Sequence, residues 1–215
     1  MPQLYGVYRS RATRPLWLAA EAGLPLDLVP VVQAYRLKDP DAPGAPRHTR
    51  SAEFLALSPQ GAIPVYRDGD LVLSESMAIL LHMAREAGDF GPRDAGEAAL
   101  MQQWAFYAIT AIEPAALKIV YDADPEGAHL DPVAEALARP LAVLDGHLQD
   151  RSHMVGDRFT AADIAVAECL RYAQGRATLM ARYPNVTRWL AACQSRPAFV
   201  EMMRTRAAEP ETPDA

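Results

Sequence analysis

The sequence predicts an α/β domain with a mixed four-stranded sheet, in the order β-α-β-α-β-β-α, followed by an all-α domain. Short apolar runs of strand type occur only in the first 88 residues, whereas every later apolar segment has helical spacing. Between them, "GDFGPRDAGE" carries three glycines and a proline. We therefore predict a sheet domain at 1–87, a linker at 88–96, a helical domain at 97–206 and a tail at 207–215.

The first strand, helix and strand are predicted from "QLYGVY", "TRPLWLAAEAG" and "LPLDLVPVV". The first segment is short and aromatic, which is typical of a buried strand. In the second, Thr13 is placed to cap a helix and Gly23 is placed to end it. The third is β-rich over residues 26–32. A β-α-β unit of this kind predicts two parallel strands joined by a right-handed crossover.

The rest of the first domain is predicted to contain a loop, a short helix, a hairpin and another helix. Three prolines and a glycine predict a loop at 36–50, and "AEFLALSP" predicts a short helix stopped by Pro59. The segment "GAIPVYRDGDLVLSESMAI" predicts two strands joined by a turn at Asp68 and Gly69, then a helix that Gly88 closes. A hairpin beside a parallel pair makes the sheet mixed.

The second half of the chain is predicted to be helical throughout. Two of its long segments contain Pro114 and Pro140, which are expected to kink or divide them. Thr160 and Asp163 have the spacing of a reciprocal helix cap before an apolar run, which is a folding device rather than a catalytic one. The last residues, "AAEPETPDA", are polar and are expected to be disordered.

Composition argues against several classes of protein. A net charge of -6 makes a nucleic-acid or anionic-membrane ligand a poor expectation. No run of about 18 apolar residues and no signal-peptide pattern is present, so we expect a cytoplasmic location. Cys169 and Cys193 form no CxxC, which disfavours dithiol redox chemistry. The five histidines form no metal-ligand pair, and no metal cofactor is expected.

Two neighbouring ends of the hairpin carry residues that suit a ligand. A cis Ile63–Pro64 bond would leave the backbone of Ile63 free to pair with an extended ligand, although an ordinary trans proline at a sheet edge is the alternative. Glu75 and Ser76 stand at a helix N-terminus, where anions bind. Together they suit an α-amino acid headgroup, and a plain cap formed by Ser74 is the alternative.

At these residues the chain resembles the cytosolic glutathione transferase family over nearly its whole length. "FLALSPQGAIPV" resembles the family's loop and strand with a cis-proline, and "DLVLSESMAIL" resembles its glutamyl-binding helix start. "GDRFTAADIAVAECL" and "YPNVTRWLAACQSRPAF" are similar to its C-terminal signature and closing helix. The resemblance implies a thioredoxin-like first domain, glutathione as cosubstrate, a role in detoxification and a homodimer.

The resemblance also implies that the enzyme lowers the pKa of the glutathione thiol through one hydroxyl donor. Serine-type members carry the catalytic serine four residues before an arginine, and Ser10 and Arg14 match that spacing. Tyr5 and Tyr8 are the tyrosine-type alternatives, and a plain helix-capping role for Ser10 stays open. Members of the cysteine type and of the isomerase type carry motifs that this chain lacks.

The remaining expected contacts follow from the resemblance and from one departure. A lysine common in the family is replaced by Ala62. We therefore expect the glycine carboxylate to bind one or more basic residues of the loop 36–50, unless that loop is only solvated surface; the candidates are Arg36, Lys38, Arg47, His48 and Arg50, with His48 and Arg50 singled out. Gln60 is also expected to contact glutathione. The electrophile pocket is expected between the domains, lined by four residues whose helical spacing is also typical of plain core: Trp104, Tyr107, Ala108 and Ala111.

The predicted reaction is therefore attack of the glutathione thiolate on a small hydrophobic electrophile, or reduction of an organic hydroperoxide. The alternative is a non-catalytic family member that carries ligands or binds other proteins. Retention of Pro64, Glu75 and Ser76 argues against that alternative, because a pure scaffold needs no site for an amino-acid headgroup.

Overall fold

The computed structural model describes residues 1–210, which form two compact units. The first unit begins with β1 (Gln3–Gly6), α1 (Thr13–Ala22), β2 (Asp27–Pro30), α2 (Ala52–Leu57), β3 (Val65–Asp68), β4 (Leu71–Leu73) and α3 (Ser76–Ala84). The second contains α4 (Ala95–Tyr107), α5 (Glu113–Val120), α6 (Asp131–His147), α7 (Ala161–Leu170), α8 (Ala177–Met180) and α9 (Pro184–Gln194). The last helix, α10 (Pro197–Ala208), belongs to the first unit.

The sheet has the strand order β2-β1-β3-β4 and is mixed, as predicted. β1 and β2 are parallel, with Leu4 opposite Leu28. β3 runs antiparallel to both β1 and β4, and Leu4 also pairs with Tyr66. The central strand β1 therefore carries the chain straight from the middle of the sheet into the loop that precedes α1.

The two faces of β1 are packed differently. Leu4 is fully buried, whereas Tyr5 is half-buried on the other face, where it packs with Val31, Phe54 and Val65. This alternation follows from the two-residue period of a strand. Tyr5 therefore contributes to the α2 side of the sheet.

The first unit is closed by α10, which packs on α1. The rings of Trp17 and Phe199 lie 4.7 Å apart, and both are buried. The predicted helical domain of 97–206 thus extends past the second unit, which ends at Arg196. The tail expected at 207–215 also begins too early, because α10 includes residues 207 and 208; residues 211–215 lie outside the described residues.

Two predicted helix ends are wrong in detail. The N-cap of α1 is Ala12, and the hydroxyl of Thr13 donates instead to the carbonyl of Ser10 at 3.1 Å. α3 ends at Ala84 rather than at Gly88, because the next residues form only turns. Gly23 does end α1, in the left-handed conformation (φ 63°) that glycine adopts without a steric penalty.

The helical unit is built around α7, all of whose residues are buried. The predicted reciprocal cap is present: Thr160 caps α7, and Asp163 accepts the backbone N–H of Thr160 at 2.9 Å. Asp163 also accepts the N–H of Met154 and the indole N–H of Trp189. The start of α7 is therefore tied to two other parts of the unit.

The two prolines act differently from each other. Pro114 lies in the first turn of α5, after a π-helical turn at Ala108–Ile112 that separates α4 from α5. Pro140 lies inside α6, which continues through it. Within the described residues, no helix combines the length and the hydropathy needed to cross a bilayer.

The segment expected to be a linker is held by Arg158. Its guanidinium donates to the carbonyls of Asp89 at 2.6 Å and Gly91 at 2.7 Å, and to both carboxylate oxygens of Glu97. The hydrogen bonds from Arg158 and from the Arg93 amide lower the pKa of Glu97 to about 2, from an ordinary 4.5. Glu97 thus remains ionised in the folded protein well into the acid range.

We expect Glu97→Gln to flatten the acid limb of the stability profile. Because the pKa of Glu97 is lower in the folded chain, its contribution is fully present above pH 4.5 and is lost as the pH falls toward about 2. Urea unfolding at a series of pH values measures this. Glu135→Gln, at an exposed site, is the control. Equal acid sensitivity of wild type and Glu97→Gln would contradict the prediction.

Candidate functional site

The end of β1, the start of α1 and the Ile63–Pro64 bond meet at Gly6. A Cβ on Gly6 would lie 3.0 Å from Cβ of Ala12 and 3.7 Å from Cβ of Pro64, so a side chain would crowd this junction. The Ile63–Pro64 bond is cis, so the trans alternative is wrong. Within residues 1–210, the backbone N–H and C=O of Ile63 have no hydrogen-bond partner. These groups can pair with an extended ligand.

The N-terminus of α3 lies on the same unit and has an unusual backbone. Glu75, its N-cap, has φ 68° and ψ 111°, and it is the one described residue other than glycine with positive φ. Such a conformation costs on the order of 1–3 kcal/mol and is found mostly at functional sites. The first helical bond joins Ile79 N–H to the Glu75 carbonyl, so the N–H groups before Ile79 precede the helical ladder. The glutamate side chain is exposed.

Arg14 connects α1 to the start of α3. It is 1% exposed, and its guanidinium donates to Oγ of Ser76 at 2.8 Å. Since the serine oxygen accepts this bond, its own hydroxyl proton remains available to donate. The buried cation also favours an anion next to Ser76. The sequence marked Arg14 only by its spacing from Ser10 and did not predict this contact.

Ser10 lies in the turn between β1 and α1. Its hydroxyl donates to the Val7 carbonyl at 2.7 Å and accepts the Ala12 N–H at 3.0 Å. The side chain is half-buried. Rotation about the C–O bond can redirect the proton from Val7 while the bond from Ala12 is kept. The Ala12 N–H then polarises the hydroxyl and makes it a stronger donor.

The two tyrosine alternatives are placed less favourably. The hydroxyl of Tyr5 donates to Oε1 of Gln3 at 3.0 Å, toward the start of β1 and away from Gly6. Burial raises the pKa of Tyr8, and the carboxylates of Glu209 and Glu201 raise it further. A phenol with a raised pKa is a weaker donor to an anion. Neither tyrosine is therefore as well placed as Ser10 to donate a hydrogen bond to a thiolate.

The end of the basic loop 36–50 lies next to Gly61, three residues before Pro64. A Cβ on Gly61 would lie 2.9 Å from the Thr49 carbonyl, and Gly61 has φ 63°, so glycine is required here. Buried His48 accepts the Arg50 N–H at Nδ1, so a neutral imidazole carries its proton on Nε2. The guanidinium of Arg50 pairs instead with Asp41 at 3.1 Å, and Gln60 is exposed.

The four residues expected to line the electrophile pocket divide into two pairs. Trp104 and Ala108 are buried, and the ring of Trp104 lies 4.6 Å from that of His147. Tyr107 is half-buried and donates to the Pro140 carbonyl at 3.2 Å, and Ala111 is half-buried in the π-helical turn. Trp104 and Ala108 therefore fit the core alternative. The π-helical turn, a feature often found at functional sites, was not predicted from the sequence.

No group of three or more histidine, cysteine, aspartate or glutamate side chains in residues 1–210 is arranged to hold a metal ion. The polar groups described above in the first unit are hydroxyls, backbone amides, a guanidinium and a carboxylate. They can bind a zwitterionic headgroup and donate to an anion, but none is itself a strong nucleophile.

Comparisons with known proteins show the family to which the chain belongs. The family model described as "Glutathione S-transferase, N-terminal domain" matches residues 8–86, and the one described as "Glutathione S-transferase, C-terminal domain" matches residues 127–192. The chain is 33% identical to "Glutathione S-transferase 3" of Zea mays, over 98% of this chain and 96% of the maize protein.

Two solved structures show the same fold. Glutathione transferase F7 of Populus trichocarpa superposes with a TM-score of 0.79 at 26% identity, over 96% of this chain and 99% of that one. A glutathione transferase family member of Pseudomonas fluorescens, solved with two glutathione molecules bound, gives 0.76 at 27% identity, over 94% and 92%.

The fold and the site thus define a thioredoxin-like domain with a cis-proline and a helix N-terminus suited to an anion, joined in one chain to an all-helical domain. The chain belongs to the glutathione S-transferase family.

Proposed function

We propose that this protein is a glutathione transferase that activates the glutathione thiol for attack on small hydrophobic electrophiles. The observation that carries the proposal is the buried bond from Arg14 to Ser76, which holds the starts of α1 and α3 together in a unit that also contains the cis Ile63–Pro64 bond. One tripeptide can then engage all three features.

Each group has a proposed role in binding glutathione. The free N–H and C=O of Ile63 pair with the cysteinyl backbone as an added strand. Ser76 and the N–H groups of α3 bind the glutamyl carboxylate, and exposed Glu75 accepts from its ammonium group. His48, through Nε2–H, is the stronger candidate for the glycine carboxylate because Arg50 is already paired with Asp41. Exposed Gln60 is a further candidate for a contact with glutathione.

Ser10 is the proposed donor to the thiolate. A free thiol has a pKa of about 8.5, so only a few per cent is ionised at neutral pH. A hydroxyl donor and the N-terminal dipole of α1 both favour the anion. The thiolate then attacks an electrophilic carbon, forming a sulfur–carbon bond as the leaving group departs with the electron pair. In the peroxidase reaction, two glutathione molecules reduce one hydroperoxide to an alcohol and water and become a disulfide.

Three further parts of the proposal concern the oligomeric state, the electrophile contacts and the location of the protein. A homodimer is favoured by apolar side chains left exposed on both units: Leu71, Val72, Leu100 and Phe106. Tyr107 and Ala111 are the better candidates for contact with a hydrophobic electrophile, since Trp104 and Ala108 are buried. A cytoplasmic location suits the free, buried thiols of Cys169 and Cys193.

The test is retention on immobilised glutathione followed by turnover assays. We expect elution by free glutathione and turnover of a generic aryl halide, with cumene hydroperoxide as a second substrate. Binding without turnover of either substrate would favour the ligand-carrying alternative. Absence of binding would contradict the proposed site itself.

A further inference from the structure

The residue that follows α10 reaches the loop that carries Ser10. One carboxylate oxygen of Glu209 accepts the backbone N–H of Tyr8 at 2.8 Å, and the other accepts the N–H of Arg9 at 2.8 Å. The two groups are 200 residues or more apart in the chain. Hydrogen bonds to a carboxylate are roughly twice as strong as neutral ones, and two parallel bonds also fix orientation.

Arg9, the residue immediately before Ser10, is held from several directions. Its Nε donates to the Glu209 carbonyl at 2.8 Å, and its own carbonyl accepts from the Gln33 amide at 3.0 Å. The guanidinium of Arg36 donates to the Pro210 carbonyl at 2.7 Å. The segment after α10 is thus attached both to the loop before Ser10 and to the turn after β2.

We propose that Glu209 is a positioning residue for Ser10, and this inference rests on the proposed role of Ser10 as thiolate donor. The loop between Gly6 and Thr13 lies outside the strands and helices. Backbone turns form part of it, and side-chain bonds from Glu209, Gln33 and Ser10 hold the rest of its backbone. Glu209 binds the two amides just ahead of Ser10, while the Ser10 hydroxyl binds Val7 and Ala12. Displacements of about 1 Å at a reacting group can reduce rates by about 100-fold.

If Glu209 is removed, its positioning role and its charge predict opposite changes in the pKa of the bound glutathione thiol. The carboxylate charge, taken alone, disfavours a nearby thiolate, so its removal should lower the pKa of the bound thiol. Loss of positioning weakens the Ser10 bond to sulfur and should raise that pKa. The direction of the change therefore separates the two effects.

We expect Glu209→Ala to raise the pKa of enzyme-bound glutathione by about one unit and to lower kcat about tenfold at neutral pH. The pKa is read from the ultraviolet absorbance of the thiolate during a pH titration of the complex. KM for glutathione should change less than about threefold, because the headgroup site is intact. Glu209→Gln keeps one acceptor oxygen for the two amides. Its kcat and thiol pKa should therefore lie between those of the wild type and those of Glu209→Ala.

Glu201→Ala is the matched control. Glu201 lies on α10, is exposed, pairs with Arg204, and also acts on Tyr8 through its charge. It has no bond to the loop before Ser10 among the described residues, so its removal should leave the thiol pKa and kcat unchanged. Thermal unfolding of every variant shows whether the fold is retained.

The double variant Ser10→Ala/Glu209→Ala decides whether Glu209 acts through Ser10. If it does, removing Glu209 has no further effect once Ser10 is alanine. A thiol pKa unchanged or lowered in Glu209→Ala, or an additive loss in the double variant, would overturn the inference. Should Ser10→Ala alone leave the thiol pKa unchanged, the proposed role of Ser10 fails, and with it the inference. If only the results for the Glu209 variants contradict the prediction, the inference about Glu209 fails, but the proposed role of Ser10 as thiolate donor stands.

Discussion

Replacement of Ser10 by alanine is expected to lower kcat about 100-fold at neutral pH, the loss typical of one donor to a developing anion. The thiol of bound glutathione should titrate near the ordinary value of about 8.5 in this variant. Within residues 1–210, the hydroxyl donates to the Val7 carbonyl and accepts the Ala12 N–H, and rotation can redirect its proton to sulfur. The pH dependence of kcat and the thiolate absorbance of the complex measure the two effects.

The prediction for Ser10→Ala also specifies how kcat depends on pH. In the variant, kcat should recover as the pH rises past about 8.5, because the thiolate then forms without a donor. Tyr8→Phe and Tyr5→Phe are the matched controls and should keep the wild-type profile. A wild-type profile for Ser10→Ala, or a loss in Tyr8→Phe, would show that the donor has been assigned to the wrong residue.

Replacement of Ser76 by alanine is expected to raise the Kd for glutathione more than tenfold and to lower the free energy of unfolding by about 2 kcal/mol. Alanine removes the proposed donor for the glutamyl carboxylate. It also deprives the Arg14 guanidinium, 1% exposed, of an acceptor at 2.8 Å. Isothermal titration with glutathione and chemical unfolding measure the two losses separately.

Thr160→Ala controls for stability in the Ser76 experiment. Thr160 is fully buried and caps α7 in the helical unit, so its loss should cost about 1 kcal/mol. Glutathione affinity should be retained, because Thr160 has no proposed contact with the tripeptide. If Thr160→Ala weakens glutathione binding as much as Ser76→Ala does, the loss in the latter reflects global stability rather than the headgroup site.

The elements set by local patterns could be predicted from the sequence. The β-α-β unit, the hairpin and the reciprocal cap at Thr160 and Asp163 each depend on residues close together in the chain, and the structure has all three. Helix ends were predicted less well. Thr13 has the composition of a cap, but its hydroxyl turns back to the Ser10 carbonyl, which only the three-dimensional turn makes available.

In the candidate site, too, short motifs could be predicted from the sequence, whereas contacts between distant residues could not. The spacing of Ser10 and Arg14 and the Glu75–Ser76 pair were visible as short motifs. The bond from Arg14 to Ser76 spans 62 residues, and the bonds from Glu209 to the Ser10 loop span about 200. No periodicity or local motif reports contacts over such separations. Glu209 in particular lies in a polar stretch that the composition assigned to a disordered tail.

The return of α10 to the first unit affects how such genes can recombine. The chain leaves that unit after Ala87 and re-enters it at Pro197, where Phe199 meets Trp17. A hybrid made with one crossover near residue 88 would join a sheet domain from one parent to a closing helix from another. Hybrids with a second crossover near residue 197 keep the parental aromatic pair, and they are the better starting point for exchanging the helical domain alone.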